Sequence, residues 1–310
     1  MRVIFLGTPD FAKICLEKLV LSKHEIVAVV CQEDKPSGRG NKLKSPPTKI
    51  WAMEHNIPVY QFHKIRVDGV DTLKSLNADI MVTSAYGQIL SQEIIDICPH
   101  KIINVHGSLL PKYRGASPIQ TAILDGETKT GVTIMRTESG IDTGDMLLSE
   151  EVDIAKDDTY GTLSEKLANV GANLLIKALD IIEAGKDEWI KQDEEKATHT
   201  KMIKPQDEFL DFNQSASDIV NKVRALNPNP VAKMKLNGEV FKVFVAKVSD
   251  VLENGEAGEV LSASPKAGLK IACSRGAVEI VELQAPSGKR MLAKSYLNGK
   301  KIEVGTKVNA

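Results

Sequence analysis

Three polar side chains in the first half of the sequence are of the types that acyl transfer to an amine requires. Asn104 and His106 stand two positions apart at the end of an apolar run, and Asp142 lies on a turn bracketed by glycines. Residues two apart on a strand point to the same face, so the Asn104 amide and the His106 imidazole can reach one small group. An amide can donate to an oxyanion, an imidazole can carry charge, and a carboxylate can orient that imidazole or take a proton. The pattern predicts a candidate active site beyond a strand.

Each of these residues also has an ordinary structural explanation. A histidine at a strand end usually makes a structural hydrogen bond, and an aspartate between glycines is usually part of a turn. Spacing alone therefore favours a catalytic trio of Asn104, His106 and Asp142 no more than it favours three unrelated structural roles.

The histidines and cysteines do not form a metal-binding pattern. The six histidines are scattered without an H-x-x-x-H pair, and the four cysteines lack C-x-x-C spacing. We therefore expect no metal ion, and we expect the cysteines to be buried, reduced thiols.

The turn after the first strand-like run stands where a dinucleotide-binding fingerprint would stand. Its sequence, Gly7-Thr8-Pro9-Asp10-Phe11, lacks the second and third glycines of that fingerprint, and Pro9 has no N–H to offer. A nicotinamide or flavin cofactor is therefore disfavoured.

Apolar runs that alternate with helical periods predict the scaffold that positions these residues. The runs at residues 27–30 and 80–82 have no polar face, as expected of central strands covered on both sides. Because strands and helices alternate, we predict an α/β fold with a Rossmann-like, doubly wound parallel sheet. The predicted strands are residues 2–6, 25–31, 80–84, 101–106 and 131–135, and residues 11–21 form a predicted helix. Ligands of such sheets bind beyond the carboxyl ends of the strands, where Asn104 and His106 lie.

A long helix and a polar stretch mark the end of the first domain. Apolar residues recur with helical spacing from Leu163 to Ile182, Thr162 and Glu165 fit a capping box, and Gly185 fits a helix stop. The polar, charged stretch that follows has the composition of a linker. We therefore predict a catalytic domain at residues 1–188, a linker at 189–206 and a C-terminal domain at 207–310.

The C-terminal domain has the pattern of a small β-barrel. Asn237 and Gly238 separate two alternating runs, which indicates a hairpin because both turn residues need positive φ. With further short strands predicted at 258–261, 269–273 and 277–283, we expect an OB-like barrel, a fold that often binds oligonucleotides. The chain after Pro205 carries 15 basic and 12 acidic residues, against 25 and 29 before it, which is compatible with a nucleic-acid partner.

Composition excludes several classes of protein. The 310 residues are 42% hydrophobic, which argues against disorder and suffices for one large and one small domain. No apolar run reaches membrane-spanning length, and the first residues lack the h-region of a signal peptide. We expect a cytoplasmic protein with no membrane partner, and a monomer, because no helix pattern shows an exposed apolar face.

Four motifs resemble those of the folate-dependent formyltransferases. They are Gly7-Thr8-Pro9-Asp10-Phe11-Ala12, Asn104-Val105-His106-Gly107-Ser108-Leu109-Leu110-Pro111, Gly131-Val132-Thr133-Ile134 and Gly140-Ile141-Asp142-Thr143-Gly144-Asp145. The resemblance covers nearly the whole chain. It implies a formyltransferase fold in which Asn104, His106 and Asp142 form the catalytic trio. It also implies that 10-formyltetrahydrofolate is a consumed co-substrate and that no other cofactor is needed.

The same resemblance implies where the folate binds. The residues that correspond to the folate contacts of the family are Ser108, Leu109, Leu110 and Pro111. The segment at residues 83–90 resembles the stretch that forms the pterin pocket, partly through backbone groups, and its expected contacts are Tyr86, Gly87 and Ile89.

A basic segment bears on the choice of acceptor. Residues 35–49 carry five basic residues and no acids, with glycines and prolines that predict a mobile loop. The segment resembles the basic insertion that reaches the tRNA acceptor end, with Arg39, Lys42 and Lys44 as candidate contacts. The alternative is an ordinary solvated loop. The resemblance implies formyl transfer to the α-amino group of methionyl initiator tRNA, a step of translation initiation.

Three other functions stay open at this point. A nucleotide amino-sugar formyltransferase shares the trio and a small C-terminal barrel, but the basic segment argues against it. A formyltetrahydrofolate hydrolase also shares the trio, although nothing here resembles an extra regulatory domain. An RNA-binding module on an inert Rossmann-like scaffold would leave the trio unexplained.

Overall fold

The structure is a computed structural model that describes residues 1–37, 42–250 and 255–309, with all their side chains except those of Ser37 and Lys42. The chain divides into two compact units. The first unit contains Met1–Pro118, Lys129–Asp153 and Ser164–Thr200, and the second contains Ile119–Thr128, Ile154–Leu163 and Lys201–Ala310.

The first unit is built around one mixed β-sheet. The elements up to Thr200 are β1 (Arg2–Gly7), α1 (Asp10–Val20), β2 (Glu25–Cys31), β3 (Lys35–Ser37), β4 (Lys42–Lys44), α2 (Pro47–Glu54), β5 (Val59–Gln61), α3 (Ile65–Asp68), α4 (Val70–Ser75), β6 (Ile80–Ser84), α5 (Gln92–Ile95), β7 (Ile102–His106), β8 (Arg114–Gly115), α6 (Pro118–Leu124), β9 (Lys129–Arg136), β10 (Met146–Asp153), α7 (Tyr160–Glu183) and β11 (His199–Thr200). The sheet has seven strands in the order β10-β9-β7-β6-β1-β2-β5. The five strands from β7 to β5 are parallel, which confirms the predicted Rossmann-like fold.

The central strands are as apolar and buried as the sequence indicated. Every residue of β6 is buried, and the side chains from Val3 to Leu6 on β1 are 0% exposed. Each aliphatic side chain removed from water in this way stabilises the sheet by about 1.5–3 kcal/mol. The position of Asn104 and His106 on β7, next to β6, is therefore set by the core.

The strand order reverses between β1 and β6. The chain runs outward from β1 through β2 to β5 and then returns to β6 on the other side of β1, so the carboxyl ends of β1 and β6 border a crevice. Gly7 ends β1 there, and a Cβ at this position would lie 2.6 Å from the Ala12 Cβ and 2.9 Å from the Ser84 carbonyl oxygen. The glycine therefore allows helix α1 to start tight against the sheet.

One predicted strand runs in a direction that the sequence did not indicate. Residues 131–135, which we expected in a parallel sheet, belong to β9, and β9 is antiparallel to both β7 and β10. The apolar pattern shows that a strand is buried but not which way it runs. Strand β10 was not predicted, because most of its residues are partly or fully exposed and it has no continuous apolar run.

The basic segment at residues 35–49, predicted as a mobile loop, contains two strands. Strands β3 and β4 pair antiparallel, with Lys35 opposite Lys44. At the base of this hairpin, Asp34 accepts hydrogen bonds from Gln61 Nε2 and from Lys49 Nζ, both at 2.9 Å. These bonds hold the pKa of Asp34 below its ordinary value. Lys49 is thus occupied by an ion pair within the protein.

Helix α7 confirms the predicted long helix but not its predicted cap. The helix begins at Tyr160, and the reciprocal hydrogen bonds at its start join Thr159 and Thr162: Thr162 N donates to Thr159 Oγ1 at 3.3 Å, and Thr159 N donates to Thr162 Oγ1 at 3.0 Å. Thr162 and Glu165 match the sequence pattern of a capping box, but they lie about one turn after the position where the helix is capped. The helix ends just before Gly185, whose φ is +64°.

The second unit is a small antiparallel β domain. Its elements after Thr200 are α8 (Ala216–Ala225), β12 (Ala232–Leu236), β13 (Glu239–Val248), β14 (Val260–Ser264), β15 (Gly268–Ala272), β16 (Ala277–Gln284), β17 (Met291–Leu292) and α9 (Ala293–Leu297). The sheet order is β12-β13-β16-β15-β14, with β17 paired to β16. Asn237 and Gly238 have φ values of +51° and +78°, which confirms the predicted hairpin.

The end of the described chain joins the two edge strands of this sheet. Asn309 N donates to Lys235 O on β12 at 2.9 Å, and Val260 N on β14 donates to Thr306 O at 2.9 Å. Because β12 and β14 lie at opposite ends of the sheet order, these bonds curl the sheet towards the predicted barrel.

The two units do not follow one another simply along the chain. The principal break falls between Thr200 and Lys201, inside the predicted linker at residues 189–206. The short segment Ile154–Leu163 groups with the second unit, because Arg224 Nε donates to Asp158 O at 2.8 Å and Gly161 N donates to Asn227 O at 3.1 Å. A single boundary, such as residue 188, does not describe this exchange.

The four cysteines are buried and unpaired, as predicted. Burial raises the pKa of Cys15 to about 12, so its thiolate is strongly disfavoured. Within the described ranges, no helix combines the length and the apolar character that crossing a membrane demands.

Candidate active site

Asn104 lies on β7, directly beside Thr83 on β6. Thr83 Oγ1 donates to Asn104 Oδ1 at 2.9 Å. This bond occupies the amide oxygen, so the two N–H donors of Nδ2 are the groups that Asn104 can offer a substrate.

His106 lies at the end of β7 with its ring next to a backbone carbonyl. The residue is 5% exposed, and Nε2 lies 3.0 Å from Tyr113 O. A carbonyl oxygen only accepts, so Nε2 carries the proton of the neutral ring and Nδ1 has the lone pair. Nδ1 lies 3.7 Å from Asp142 Oδ2. This distance is too long for a hydrogen bond but places the carboxylate beside the ring.

Asp142 reaches this position from a strained turn. Its φ is +52°, in the left-handed region that few residues other than glycine adopt. Its carboxylate accepts a hydrogen bond from Gly115 N at 2.8 Å, and its carbonyl oxygen accepts one from Gln192 Nε2 at 2.8 Å. The structure thus brings together His106 and Asp142, which are far apart in the sequence.

The segment expected to contact folate begins directly after His106 and lies against β9. Thr133 Oγ1 donates to Ser108 O at 2.8 Å and accepts from Leu110 N at 3.2 Å. A Cβ on Gly131 would lie 2.2 Å from the Glu150 carbonyl oxygen on β10 and 2.5 Å from Leu109 Cδ2, so glycine is required for β9 to pair with β10 beside Leu109. The Ser108 side chain is 0% exposed and donates to Lys112 O at 2.6 Å, whereas Leu109 and Pro111 are partly exposed. Ser108 therefore shapes this segment from inside, and Leu109 and Pro111 present its surface.

The second expected folate segment follows β6 and borders the crevice between β1 and β6. Tyr86 O accepts hydrogen bonds from Thr8 Oγ1 and from Gln32 Nε2, both at 3.1 Å. The Tyr86 side chain, in contrast, is 4% exposed and packs in the apolar core, where burial raises the pKa of its hydroxyl. Gly87 and Ile89 are exposed. Tyr86 thus contributes its backbone to the crevice, while Gly87 and Ile89 remain accessible.

Residues 190–200 form a segment that we call the strap. It makes hydrogen bonds to two loops of the candidate site, the turn that carries Asp142 and the loop that carries Tyr113. Gln192 Nε2 donates to the carbonyl oxygens of Asp142 and Gly144, each at 2.8 Å, and Arg114 Nε donates to Gln192 Oε1 at 2.9 Å. Thr198 Oγ1 accepts from Tyr113 N at 2.8 Å. Sequence reasoning missed these residues, because the strap has a linker composition. The one available signal was Arg114, a charged side chain between two predicted site segments.

Comparison with known proteins assigns this scaffold to a family. The profile described as Formyl transferase matches residues 1–179, a range that includes Asn104, His106 and Asp142. The chain belongs to the formyl transferase family. The profile described as Formyl transferase, C-terminal domain, matches residues 202–301 of this formyl transferase. The family expected from the four sequence motifs is thereby confirmed, and the whole strap lies between the two matched ranges.

Relatives of similar length share much of the sequence of this formyl transferase. The chain is 44% identical over 307 residues to a methionyl-tRNA formyltransferase of Sulfurihydrogenibium sp., covering 98% of this chain and 99% of the relative. It is 45% identical over 307 residues to a methionyl-tRNA formyltransferase of Acetivibrio thermocellus, covering 98% of each chain.

Solved structures share the fold at much lower identity. HypX from Aquifex aeolicus in complex with tetrahydrofolic acid matches with a TM-score of 0.68 at 18% identity, over 99% of this chain and 50% of that chain. An N-formyltransferase from Helicobacter canadensis, in complex with folinic acid and dTDP-3-aminofucose, matches with a TM-score of 0.64 at 20% identity, over 90% of this chain and 98% of that chain. At these identities the likeness concerns the fold alone.

Two of the three residues expected to contact tRNA, Lys42 and Lys44, belong to β4 of this formyl transferase. Lys44 is exposed on β4, directly opposite the exposed Lys35 on β3. Arg39 lies outside the described residues, as does the side chain of Lys42. Two exposed lysines opposite each other concentrate positive charge at this point of the surface.

Among the described residues, no group of three histidine, cysteine, aspartate or glutamate side chains is arranged to hold a metal ion.

Proposed function

We propose that this chain transfers the formyl group of 10-formyltetrahydrofolate to the α-amino group of methionyl initiator tRNA. The observation that carries the proposal is the 44–45% identity, over nearly the whole chain, to two relatives named methionyl-tRNA formyltransferase. The match extends through both family domains. The sugar-linked neighbour, at 20% identity, shares the fold but gives no comparable support for a sugar acceptor.

In the proposed mechanism, Asn104 stabilises the oxyanion. The neutral α-amino group attacks the formyl carbon, and the carbonyl oxygen becomes the oxyanion of a tetrahedral intermediate. The Asn104 Nδ2 donors bind that oxygen, and the bond from Thr83 to Oδ1 keeps the amide in this orientation. A fixed donor of this kind stabilises the transition state without having to reorganise.

His106 and Asp142 move the proton that the attack releases. The amine nitrogen becomes positively charged as it attacks, and His106 Nδ1 has the lone pair that accepts its proton. The resulting imidazolium is stabilised by Asp142 Oδ2, 3.7 Å away, a separation that can shorten once the ring is charged. When the intermediate collapses, the bond from the formyl carbon to the folate nitrogen breaks, and the imidazolium returns a proton to that nitrogen. Formyl-methionyl-tRNA and tetrahydrofolate leave.

The folate is proposed to lie in the crevice between β1 and β6, with its formyl group directed towards Asn104. The backbone at Tyr86 and Gly87 borders this crevice, and Leu109 and Pro111 lie on the segment that directly follows the strand carrying Asn104 and His106. Parallel sheets of this class bind ligands at such a reversal of strand order. 10-Formyltetrahydrofolate is consumed in each turnover and is a co-substrate.

The tRNA is proposed to contact the hairpin of β3 and β4. Arg39, Lys42 and Lys44 would bind phosphates or unpaired bases near the acceptor end, with Lys35 adding a charge opposite Lys44. That the protein works as a cytoplasmic monomer stays a prediction.

A formyl-transfer assay with competing acceptors tests this function. Purified protein is incubated with 10-formyltetrahydrofolate and methionyl initiator tRNA, a nucleotide amino-sugar and water being the alternative acceptors. We expect formylated tRNA as the product, loss of the product with His106→Ala, and a reduced rate with Lys44→Ala because one phosphate contact is lost. An elongator methionyl-tRNA serves as the matched control substrate.

The possible results separate the alternatives. Turnover only on the amino-sugar would keep the chemistry and overturn the acceptor, and release of formate alone would indicate a hydrolase. Tight tRNA binding without transfer to any acceptor would indicate an RNA-binding protein on an inert scaffold.

A further inference from the structure

The strap makes a denser set of hydrogen bonds to the site than a linker would. Besides the bonds of Gln192, Thr198 O accepts from Arg114 N at 2.8 Å, and Thr198 N donates to Pro111 O at 3.2 Å. Strand β11 of the strap pairs in parallel with β8, so that His199 lies opposite Arg114 and Thr200 lies opposite Gly115. The strap therefore lies across both loops that approach the reacting groups.

Gln192 fixes the backbone on which Asp142 stands. Its amide nitrogen donates to Asp142 O and Gly144 O at 2.8 Å each, which uses both of its N–H donors on one turn. Its amide oxygen accepts from Arg114 Nε at 2.9 Å. A carbonyl cannot donate and a guanidinium cannot accept, so these three bonds are satisfied in only one orientation of the amide.

Arg114, on β8, in turn anchors Gln192 and the rest of the strap. Its side chain is 1% exposed, and its two terminal nitrogens bind Glu194 at 2.9 Å and 2.7 Å in a forked pair. The hydrogen bonds from Arg114 hold the pKa of Glu194 below its ordinary value. A buried guanidinium with all of its edges engaged is rigid, so the Gln192 amide is presented to the Asp142 turn in a fixed place.

The strap also positions the carbonyl group that accepts the hydrogen bond from His106. Thr198 Oγ1 binds Tyr113 N at 2.8 Å, and Tyr113 O is the acceptor for His106 Nε2 at 3.0 Å. A shift of the strap would therefore change the surroundings of both ring nitrogens of His106: Tyr113 O on one side and Asp142 on the other.

We propose that Gln192 and Arg114 are positioning residues that hold Asp142 at the distance from His106 that proton transfer needs. Neither residue touches the reacting atoms. This inference rests on the proposed function for its kinetic effect, although its structural part does not depend on which acceptor is used.

The decisive variant is Gln192→Glu, because it keeps the size of the side chain and its bond from Arg114 but cannot donate to Asp142 O and Gly144 O. The rate constant of formyl transfer is measured in single turnovers, with enzyme in excess over methionyl initiator tRNA at saturating 10-formyltetrahydrofolate. A single-turnover rate constant does not depend on the fraction of active protein, so partial unfolding cannot imitate the effect. We expect a fall of about 10- to 100-fold, as for a reacting group displaced by a fraction of an ångström to one ångström. Binding of both substrates should change little.

The position of Asp142 is measured separately from activity. The Gly115 amide proton, which donates to Asp142 Oδ2, is observed by nuclear magnetic resonance in the full-length wild-type protein and in Gln192→Glu. We expect its resonance to move towards that of Asp142→Asn, because a charge-assisted hydrogen bond is weakened in both variants. Glu195→Gln is the control, since Glu195 lies exposed on the same strap and its side chain makes none of these bonds.

A second variant keeps the test decisive if Gln192→Glu does not fold. Glu194→Gln removes a charge from an exposed side chain and leaves Arg114 and Gln192 in place, so a smaller loss of rate and a smaller movement of the Gly115 resonance are expected. An unchanged Gly115 resonance together with a wild-type rate constant in folded Gln192→Glu would overturn the inference. A moved Gly115 resonance, with the wild-type protein formylating no acceptor, would support the positioning role and count against the proposed function alone.

Discussion

Asn104 and Asp142, which we propose to act in one site, are positioned in opposite ways. Asn104 lies on a buried strand, where its place is set by the hydrogen-bond ladder to β6 and by the core around it. Asp142 lies on a turn with a φ of +52°, where its place depends on Gly115 N and on side chains from the strap. A strand can lose one side-chain contact and keep its course, whereas a strained turn depends on each of its contacts. The two groups should therefore respond differently to substitution in their surroundings.

The largest effect is expected at Asn104 itself. Asn104→Ala removes the proposed oxyanion donor while the ladder of β7 keeps the fold, so turnover should fall by about 100- to 1000-fold. Steady-state formyl-transfer assays measure the loss of turnover, and circular dichroism shows whether the variant keeps the fold. Near-normal turnover would show that Asn104 is not the oxyanion donor.

The next largest effect is expected from a substitution at Gly115, whose N–H binds the Asp142 carboxylate. In Gly115→Ala, the new Cβ would lie 2.6 Å from Thr200 O, and φ is +109°, so the contact with the strap must open. We expect a loss of about 1–3 kcal/mol in the free energy of unfolding, together with slower transfer because Gly115 N holds Asp142.

Gly185→Ala is the matched control for this substitution. It has φ of +64° with no atom within 4 Å of the added Cβ, so it introduces backbone strain without a collision. Urea unfolding and transfer rates should rank Gly115→Ala as the more damaging change. Equal damage in the two variants would mean that the approach of the strap to Gly115 has no energetic role.

A smaller effect is expected from the surroundings of Asn104. Thr83→Val keeps the shape and the strand preference of the side chain but removes the donor to Asn104 Oδ1. Turnover should fall by about 2- to 10-fold, which corresponds to the ~0.5–1.5 kcal/mol of one neutral hydrogen bond.

Thr130→Val is the control for that variant, because the buried Thr130 Oγ1 has no hydrogen-bond partner in the described chain. Its stability should be unchanged or increased and its turnover normal. If Thr83→Val matched it in every measurement, the orientation of Asn104 would not depend on Thr83.

The smallest effect concerns the pH dependence of the strap. Arg114 holds the pKa of Glu194 below its ordinary value of 4.5, so the stabilising contribution is present above about that pH and is lost as the pH falls through the lower folded-state value. Glu194→Gln should therefore be less stable than wild type at pH 7, and this difference should shrink in acid. The free energy of unfolding, measured by urea at pH 7 and at pH values below 4.5, checks the sign, with Glu195→Gln as the control. A difference that grew in acid would contradict the assignment.

Local patterns predicted the elements that repeat a simple physical rule. Buried parallel strands show as apolar runs, so residues 25–31 and 80–84 were predicted within the bounds that β2 and β6 have. Asn237-Gly238 predicted its hairpin because only a few residue types adopt positive φ twice in succession. The cap of α7 was misplaced by one turn, because Thr159 and Thr162 form the reciprocal bonds of a capping box without the usual glutamate.

Only part of the candidate site was predictable from local patterns. Asn104 and His106 share a strand face, which follows from their spacing alone. The role of the strap was not predictable, because Gln192 meets Asp142 only after the chain has passed through β10 and α7. For Tyr86, the sequence predicted the position after β6 but not the direction of the side chain. Only the structure shows that its ring packs in the core and that its backbone faces the crevice.

The sequence by itself determined the types of the proposed reacting groups, the strand that carries two of them, and the glycines that let neighbouring segments pack closely. These features depend on side-chain chemistry and on interactions between near neighbours, which leave periodic or local signals. Only the tertiary structure decided the direction of β9, the exchange of segments between the two units, and the clamp of Gln192 and Arg114 on the Asp142 turn. These features depend on contacts between residues far apart in the chain. The packed core fixes the hydrogen-bond geometry of such contacts, so they leave no local pattern in the sequence.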